Sequence, residues 1–109
     1  MENISIYFSE DTEVSEYEGV HKGRRPDVYV KINGDVFNLR VYDLVRLQQS
    51  FESGCEQYGQ YHVEPNLVLV REVSKPEIIE ALIVLHGQRY FEEIKPIDDS
   101  DVSKLVRVY

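Results

Sequence analysis

Polar and apolar residues alternate most regularly in DVYVKINGDVFNLRV, residues 27–41. The period of two on either side of Asn33-Gly34 predicts two antiparallel strands joined by a two-residue turn. Asn-Gly suits a type I′ turn, whose two central residues both need positive φ. That turn sets Val30 opposite Phe37 and Val28 opposite Leu39, an apolar face. It sets Lys31, Tyr29 and Asp27 opposite Val36, Asn38 and Arg40, a mostly polar face. A slip of one residue would mix the two faces, so pattern and turn specify one register.

The period then changes. Leu44, Leu47, Phe51, Cys55 and Tyr58 recur at helical spacing, which predicts a helix over about 43–58 with its apolar stripe buried. Asp43 is placed to cap the first turn and Gly59 to end the last. Arg46, Gln49, Glu52 and Glu56 fall mainly on the wetter side. The run NLVLVREV (66–73) is apolar without alternation, as in a strand covered on both faces. SKPE (74–77) has the form of a capping box, with Ser74 at the cap and Glu77 at the third helical position. Pro76 sits in the first turn, where its missing N–H costs nothing. This helix runs over about 75–86, and Gly87 stops it. Ile78, Ile79, Ala81, Leu82, Ile83, Val84 and Leu85 cover most of its circumference. Such a helix is either sandwiched inside the fold or presents a patch to a partner, and in so small a domain burial is the expectation.

Shorter signals complete the chain. NISIYF (3–8), YFEEIKPI (90–97) and KLVRVY (104–109) read as strands, and GVHKGRRP (19–26), rich in glycine and bases, reads as a loop. The hairpin rules out an all-parallel sheet. The expectation is one domain, residues 1–109, of the α+β class: a mostly antiparallel sheet of four to six strands packed by two helices.

Charge changes this picture more than composition does. With 109 residues, 42% hydrophobic and 29% charged, the chain can bury one core. Eight Tyr, four Phe and no Trp suit a half-wet surface that meets something, or simply exposed sheet faces. The net charge is −8 and unevenly placed. Glu2, Glu10, Asp11, Glu13, Glu16 and Glu18 crowd the start, and Glu92, Glu93, Asp98, Asp99 and Asp101 crowd a second segment. The stretch between is nearly balanced. Such a field repels phosphate backbones and anionic lipid and favours cationic partners, which argues against direct nucleic-acid or membrane binding. Lys22, Arg24 and Arg25 lie close enough to quench part of the first block.

A single cysteine, Cys55, excludes an internal disulfide. MENISIYFSED lacks the basic start and apolar run of a leader, and no apolar run approaches the ~18 residues that span a bilayer. The expectation is a soluble, cytoplasmic protein, monomeric, without cofactor. His21, His62 and His86 have no metal-ligand neighbours at the right spacing. Cys55 falls in the helical stripe near a C-terminus, where the dipole disfavours a thiolate, and reads as a packed thiol. DDSD (98–101) lacks the turn glycine and bidentate Glu of a calcium loop. No glycine-rich phosphate loop occurs, and the paired carboxylates lie in segments that look exposed, unsuited to acid–base work. The chain therefore reads as a binding protein and not an enzyme. A small enzyme using His21 or His62 with a carboxylate remains the weakest alternative.

The stretches PDVYVKINGDVFNLRVYDLVRLQQSFESG and EPNLVLVREVSKPEIIEALIVLHGQRYFEEIKPI, about residues 26–97, resemble the small immunity proteins of bacterial toxin systems, including contact-dependent growth inhibition. The likeness rests on size, acidity and the hairpin–helix–strand–helix order. It implies a cytoplasmic protein that binds one cognate toxin domain, often a nuclease, and blocks its active site or an exosite. Charge, not the resemblance, nominates the binding residues: Glu10, Asp11, Glu13, Glu16, Tyr17 and Glu18, with Glu92, Glu93, Asp98, Asp99 and Asp101 as a second acidic patch. The alternative function is a structural or regulatory module that self-associates through the apolar helix 77–86.

Overall fold

The hairpin forms the middle of the sheet. In the computed structural model, which describes residues 3–97 and 102–109, β2 (Arg24–Ile32) pairs with β3 (Asp35–Tyr42). Val30 lies opposite Phe37, Val28 opposite Leu39, Lys31 opposite Val36 and Tyr29 opposite Asn38, as the alternation requires. Two details differ. Asn33 takes positive φ (57°) but Gly34 does not, so the turn departs from type I′. The register shifts between Arg25 and Val28, and this bulge takes Asp27 out of line with Arg40.

On one side of the hairpin, β1 (Ile4–Phe8) pairs antiparallel with β2, and β5 (Val106–Arg107) pairs antiparallel with β1. On the other side β4 (Leu67–Leu69) runs parallel to β3, giving the order β4-β3-β2-β1-β5. The architecture is α+β, with a mostly antiparallel five-stranded sheet and three helices among the described residues. The helices are α1 (Glu13–Lys22), α2 (Leu44–Tyr58) and α3 (Lys75–Gly87), and a 3₁₀ turn follows at Tyr90–Glu92. Among the described residues, no helix is long and apolar enough to cross a membrane.

The core fills the space between one sheet face and α3. Ile6, Phe8, Val28, Val30, Leu39 and Val41 meet Ile78 and Leu82, and Phe91 of the 3₁₀ turn joins them. Each such side chain contributes roughly 1.5–3 kcal/mol through burial. α3 is not enclosed, however: Ile83 and Val84 are exposed on its outer side. Nor does 66–73 form a strand covered on both faces. β4 spans three residues at the sheet edge, and Leu69 is half exposed. Residues 90–97 carry the 3₁₀ turn where a strand was expected, because α3 ends there and Phe91 folds back onto Phe37 and His86.

The second helix, α2, begins and ends as the sequence requires. Asp43 Oδ1 accepts the Arg46 N–H at 2.8 Å, and Gly59 closes the helix at φ 79°. Its apolar stripe is not buried. No residue of α2 is buried, and Leu44, Phe51 and Tyr58 are each more than half exposed. Arg46, Leu47, Ser50, Gly54 and Cys55 are the half-buried positions, so the helix lies rotated, with its stripe partly turned to solvent. Cys55 is thus a half-buried thiol on a ridge and not a core thiol. Arg46, expected on the wet side, has its Nε buried without a hydrogen-bond partner.

Candidate protein-binding surface

The acidic stretch from Glu13 onward and the first half of the expected loop, residues 19–22, form α1, and the loop's last three residues, 24–26, belong to β2. Thr12 Oγ1 accepts the Ser15 N–H at 3.0 Å, and Ser15 Oγ accepts the Thr12 N–H at 2.9 Å, a capping box made with serine. Glu13 and Glu16 occupy the first turn and His21 and Lys22 the last, each sign placed to suit the helix dipole. Gly23 closes the helix in the left-handed region (φ 72°), donating to the Gly19 carbonyl at 2.9 Å. A Cβ there would stand 2.6 Å from the Asp43 carboxylate, so space and backbone both demand glycine. The chain re-enters the sheet at Arg24, one residue later.

Arg25 and Asp27 anchor the base of this helix. The Arg25 guanidinium is buried, stacks 3.8 Å over the Phe8 ring, and donates to the Glu10 carbonyl and, at 3.0 Å, to Asp27 Oδ1. Asp27 Oδ2 accepts the Ser9 N–H at 3.0 Å and the Ser9 hydroxyl at 2.6 Å. Burial opposes ionisation of Asp27, but the Ser9 and Arg25 hydrogen bonds and the Arg25 charge together outweigh it. They hold its carboxyl below the ordinary value.

The nominated carboxylates divide by role. Glu16 turns inward and accepts the Lys75 N–H with both oxygens, at 2.9 and 3.0 Å. It caps α3 in place of Ser74, whose side chain makes no cap bond, so the expected capping box is absent. Asp11 pairs with Lys75 Nζ at 3.0 Å. Glu18 pairs with Lys22 across one turn at 3.6 Å, on exposed side chains. The side chains of Glu10 and Glu13 are exposed and make no ion pair among the described residues. Tyr17 is 68% exposed and stacks on His21, ring centroids 5.5 Å apart. Val14, which no sequence signal singled out, is 67% exposed one turn before it. The outer face of α1 is therefore Glu13, Val14, Tyr17, Glu18 and His21, with Glu10 just ahead of the helix.

Glu92 and Glu93 lie elsewhere. Both are exposed beyond the far end of α3, where a cleft of about 820 Å³ opens between Asn33, Asp35, His86 and Arg89. Thirteen helical residues, about 20 Å, separate that end from the Glu16 cap. Glu92 and Glu93 thus sit at the opposite end of α3 from Glu16 and form no single patch with it. Asp98, Asp99 and Asp101 lie outside the described residues. Of the local bases, Lys22 is paired and Arg25 is buried with Asp27, while Arg24 is exposed.

The histidines are scattered. His21 stacks on Tyr17 at the surface, His86 faces Phe91, and His62 is exposed in a groove with Arg46, Gln49 and Tyr61 that no carboxylate lines. Among the described residues, no three His, Cys, Asp or Glu side chains converge as a metal site requires. No family model, curated protein or solved structure matches this chain.

Proposed function

We propose that this protein is an inhibitor that binds a basic toxin domain, a nuclease, in the cytoplasm of the producing cell. The observation that carries the reading is the outer face of α1. There an exposed tyrosine and valine stand among outward carboxylates, Glu10 and Glu13 without an ion pair among the described residues and Glu18 paired with Lys22 of its own helix. Tyr17 offers apolar area with low ordering cost, and the surrounding charge accelerates encounter with a cation-rich surface. A nuclease carries a basic cleft for phosphates, which an anionic surface can occupy by resembling the polyanion. The likeness of residues 26–97 to small immunity proteins supplies the partner class. The test is co-expression with the product of the adjoining reading frame, which this reading expects to be a toxin. Survival at stoichiometric expression supports the reading, and cell death under those conditions contradicts it.

Self-association is the second reading, favoured by the exposure of Ile83 and Val84 on α3. Light scattering on the size-exclusion peak separates the two, since a monomer across the concentration range removes it.

A further inference from the structure

We propose that the open edge of β4 and the groove beside it bind an extended cationic segment of another protein, which adds to the sheet as a further strand. This surface is distinct from α1 and does not depend on the reading above. Among the described residues β4 ends the sheet, with β3 its one neighbour. Its register is framed by the Arg40 N–H on the Asn66 carbonyl at 3.0 Å and the Val70 N–H on the Tyr42 carbonyl at 2.9 Å. In that frame Val68 turns its N–H and C=O to β3. Strand alternation then turns the N–H and C=O of Leu69 and the C=O of Leu67 to the open side. The Leu67 N–H is taken by the Glu64 carbonyl at 3.1 Å.

Sheet edges are ordinarily blunted by shortness, charge, proline, a bulge or a covering element, and β4 is short, at three residues. This one carries Leu67, Val68 and Leu69 in sequence, and Leu69 is 50% exposed. Beside it a groove of about 420 Å³ separates β4 from α3, with Ala81, Val84 and Leu85 on the helix side. Tyr90 closes the lining, its hydroxyl donating to the Pro65 carbonyl at 3.1 Å and tying down the approach to β4.

Charge selects the occupant. The charged residues lining the groove are Glu77 and Glu80, both anionic. A second copy would bring the same two glutamates and another net charge of −8, whereas a Lys- or Arg-bearing strand meets them with complementary charge. The geometry fits: α3 advances about 6 Å over four residues and an added strand about 6.7 Å over two. Successive groove-facing side chains of the added strand can therefore meet a glutamate and then the Ala81–Val84 surface, so apolar and basic residues alternate along that face.

The test is fluorescence anisotropy at low salt with a labelled peptide of repeat Lys-Thr-Val-Thr, which sets lysine and valine in turn along one strand face, and a Glu-Thr-Val-Thr peptide as control. Saturable binding of the lysine peptide is expected. Leu69→Pro should weaken it at least tenfold while leaving the fold intact, because the lost N–H faces the open side and no sheet bond breaks. The surface pair Glu77→Lys with Glu80→Lys should do the same by charge alone. Neutralising Glu10, Glu13 and Glu18 should leave binding unchanged. The proposal is overturned by absent saturation, by equal binding of the glutamate peptide, or by binding that survives both groove variants. A concentration-dependent dimer dissolved by Leu69→Pro would also overturn it, assigning the edge to a second copy.

Discussion

The Glu16 carboxylate on α1 accepts the main-chain N–H of Lys75, fifty-nine residues away, with both oxygens at 2.9 and 3.0 Å. One helix thus caps another, and an acid that looks like docking surface in the sequence holds two elements together. Lys75 replies through Nζ to Asp11 at 3.0 Å. Glu16→Ala should destabilise the fold by about 1–2 kcal/mol, the usual effect of losing an N-cap, and Ser74→Ala should stay within about 0.5 kcal/mol. Urea unfolding of both variants checks the assignment, and a reversed ranking would restore Ser74 as the cap.

Asp27 gives a pH dependence. Its folded carboxyl lies below the ordinary value of 3.8, so its contribution is complete above the unfolded pKa and is lost as pH falls through the folded one. Stability should decline below about pH 4, and Asp27→Asn should flatten that decline. At neutral pH the same change strands the buried Arg25 charge and should cost about 3 kcal/mol. Denaturation midpoints from pH 7 downward read both effects.

Two glycines, one at each end of β2, yield a contrast. Gly34 has no positive φ, and a Cβ there meets nothing within 4 Å. Gly34→Ala should therefore be neutral within about 0.5 kcal/mol. Gly23→Ala, at φ 72° against the Asp43 carboxylate, should cost more than about 1 kcal/mol. A type I′ turn would instead make Gly34→Ala costly, so paired melting curves decide the turn type.

Packing separates α2 from α3. Phe51 is 53% exposed and Leu82 fully buried. Leu82→Ala should cost about 2–5 kcal/mol, while Phe51→Ala should cost less than about 1 kcal/mol. Comparable losses at the two sites would mean that the α2 stripe is buried after all.

Much of the sheet was readable because its signals are local. The alternation of residues 27–41 and the Asn-Gly turn specify a register that long-range packing then keeps. The ends of α2 were readable for the same reason, through Asp43 and Gly59. What was not readable depended on distant partners. α1 has a weak apolar pattern and an internal glycine, Gly19, where a Cβ would stand 3.3 Å from the Val73 carbonyl. Its start and stop residues, Thr12, the first-turn acids and Gly23, were present in the sequence, but the acids drew attention as charge and not as helix signals. The SKPE capping box did not form: Ser74 makes no cap bond, and a carboxylate from another helix, Glu16, meets the first N–H of α3, at Lys75. The α2 stripe has the right period for burial, yet the period alone does not say whether a partner surface exists. Of the candidate site, the charge was legible from sequence. The division into structural acids (Glu16, Asp11) and outward ones (Glu10, Glu13, Glu18) required the fold.

The central claim is that the outer face of α1 meets a basic protein. The most direct measurement is the association rate with the proposed partner, the basic domain that this reading expects in the adjoining reading frame, by stopped-flow fluorescence at rising salt. A combined Glu10→Gln, Glu13→Gln and Glu18→Gln variant, which spares Glu16, should associate about tenfold more slowly at low salt and lose most of its salt dependence. Glu92→Gln with Glu93→Gln, at the far end of α3, should change the rate little. Equal rates for the wild-type protein and the α1 variant, or an effect confined to the Glu92–Glu93 variant, would contradict the account.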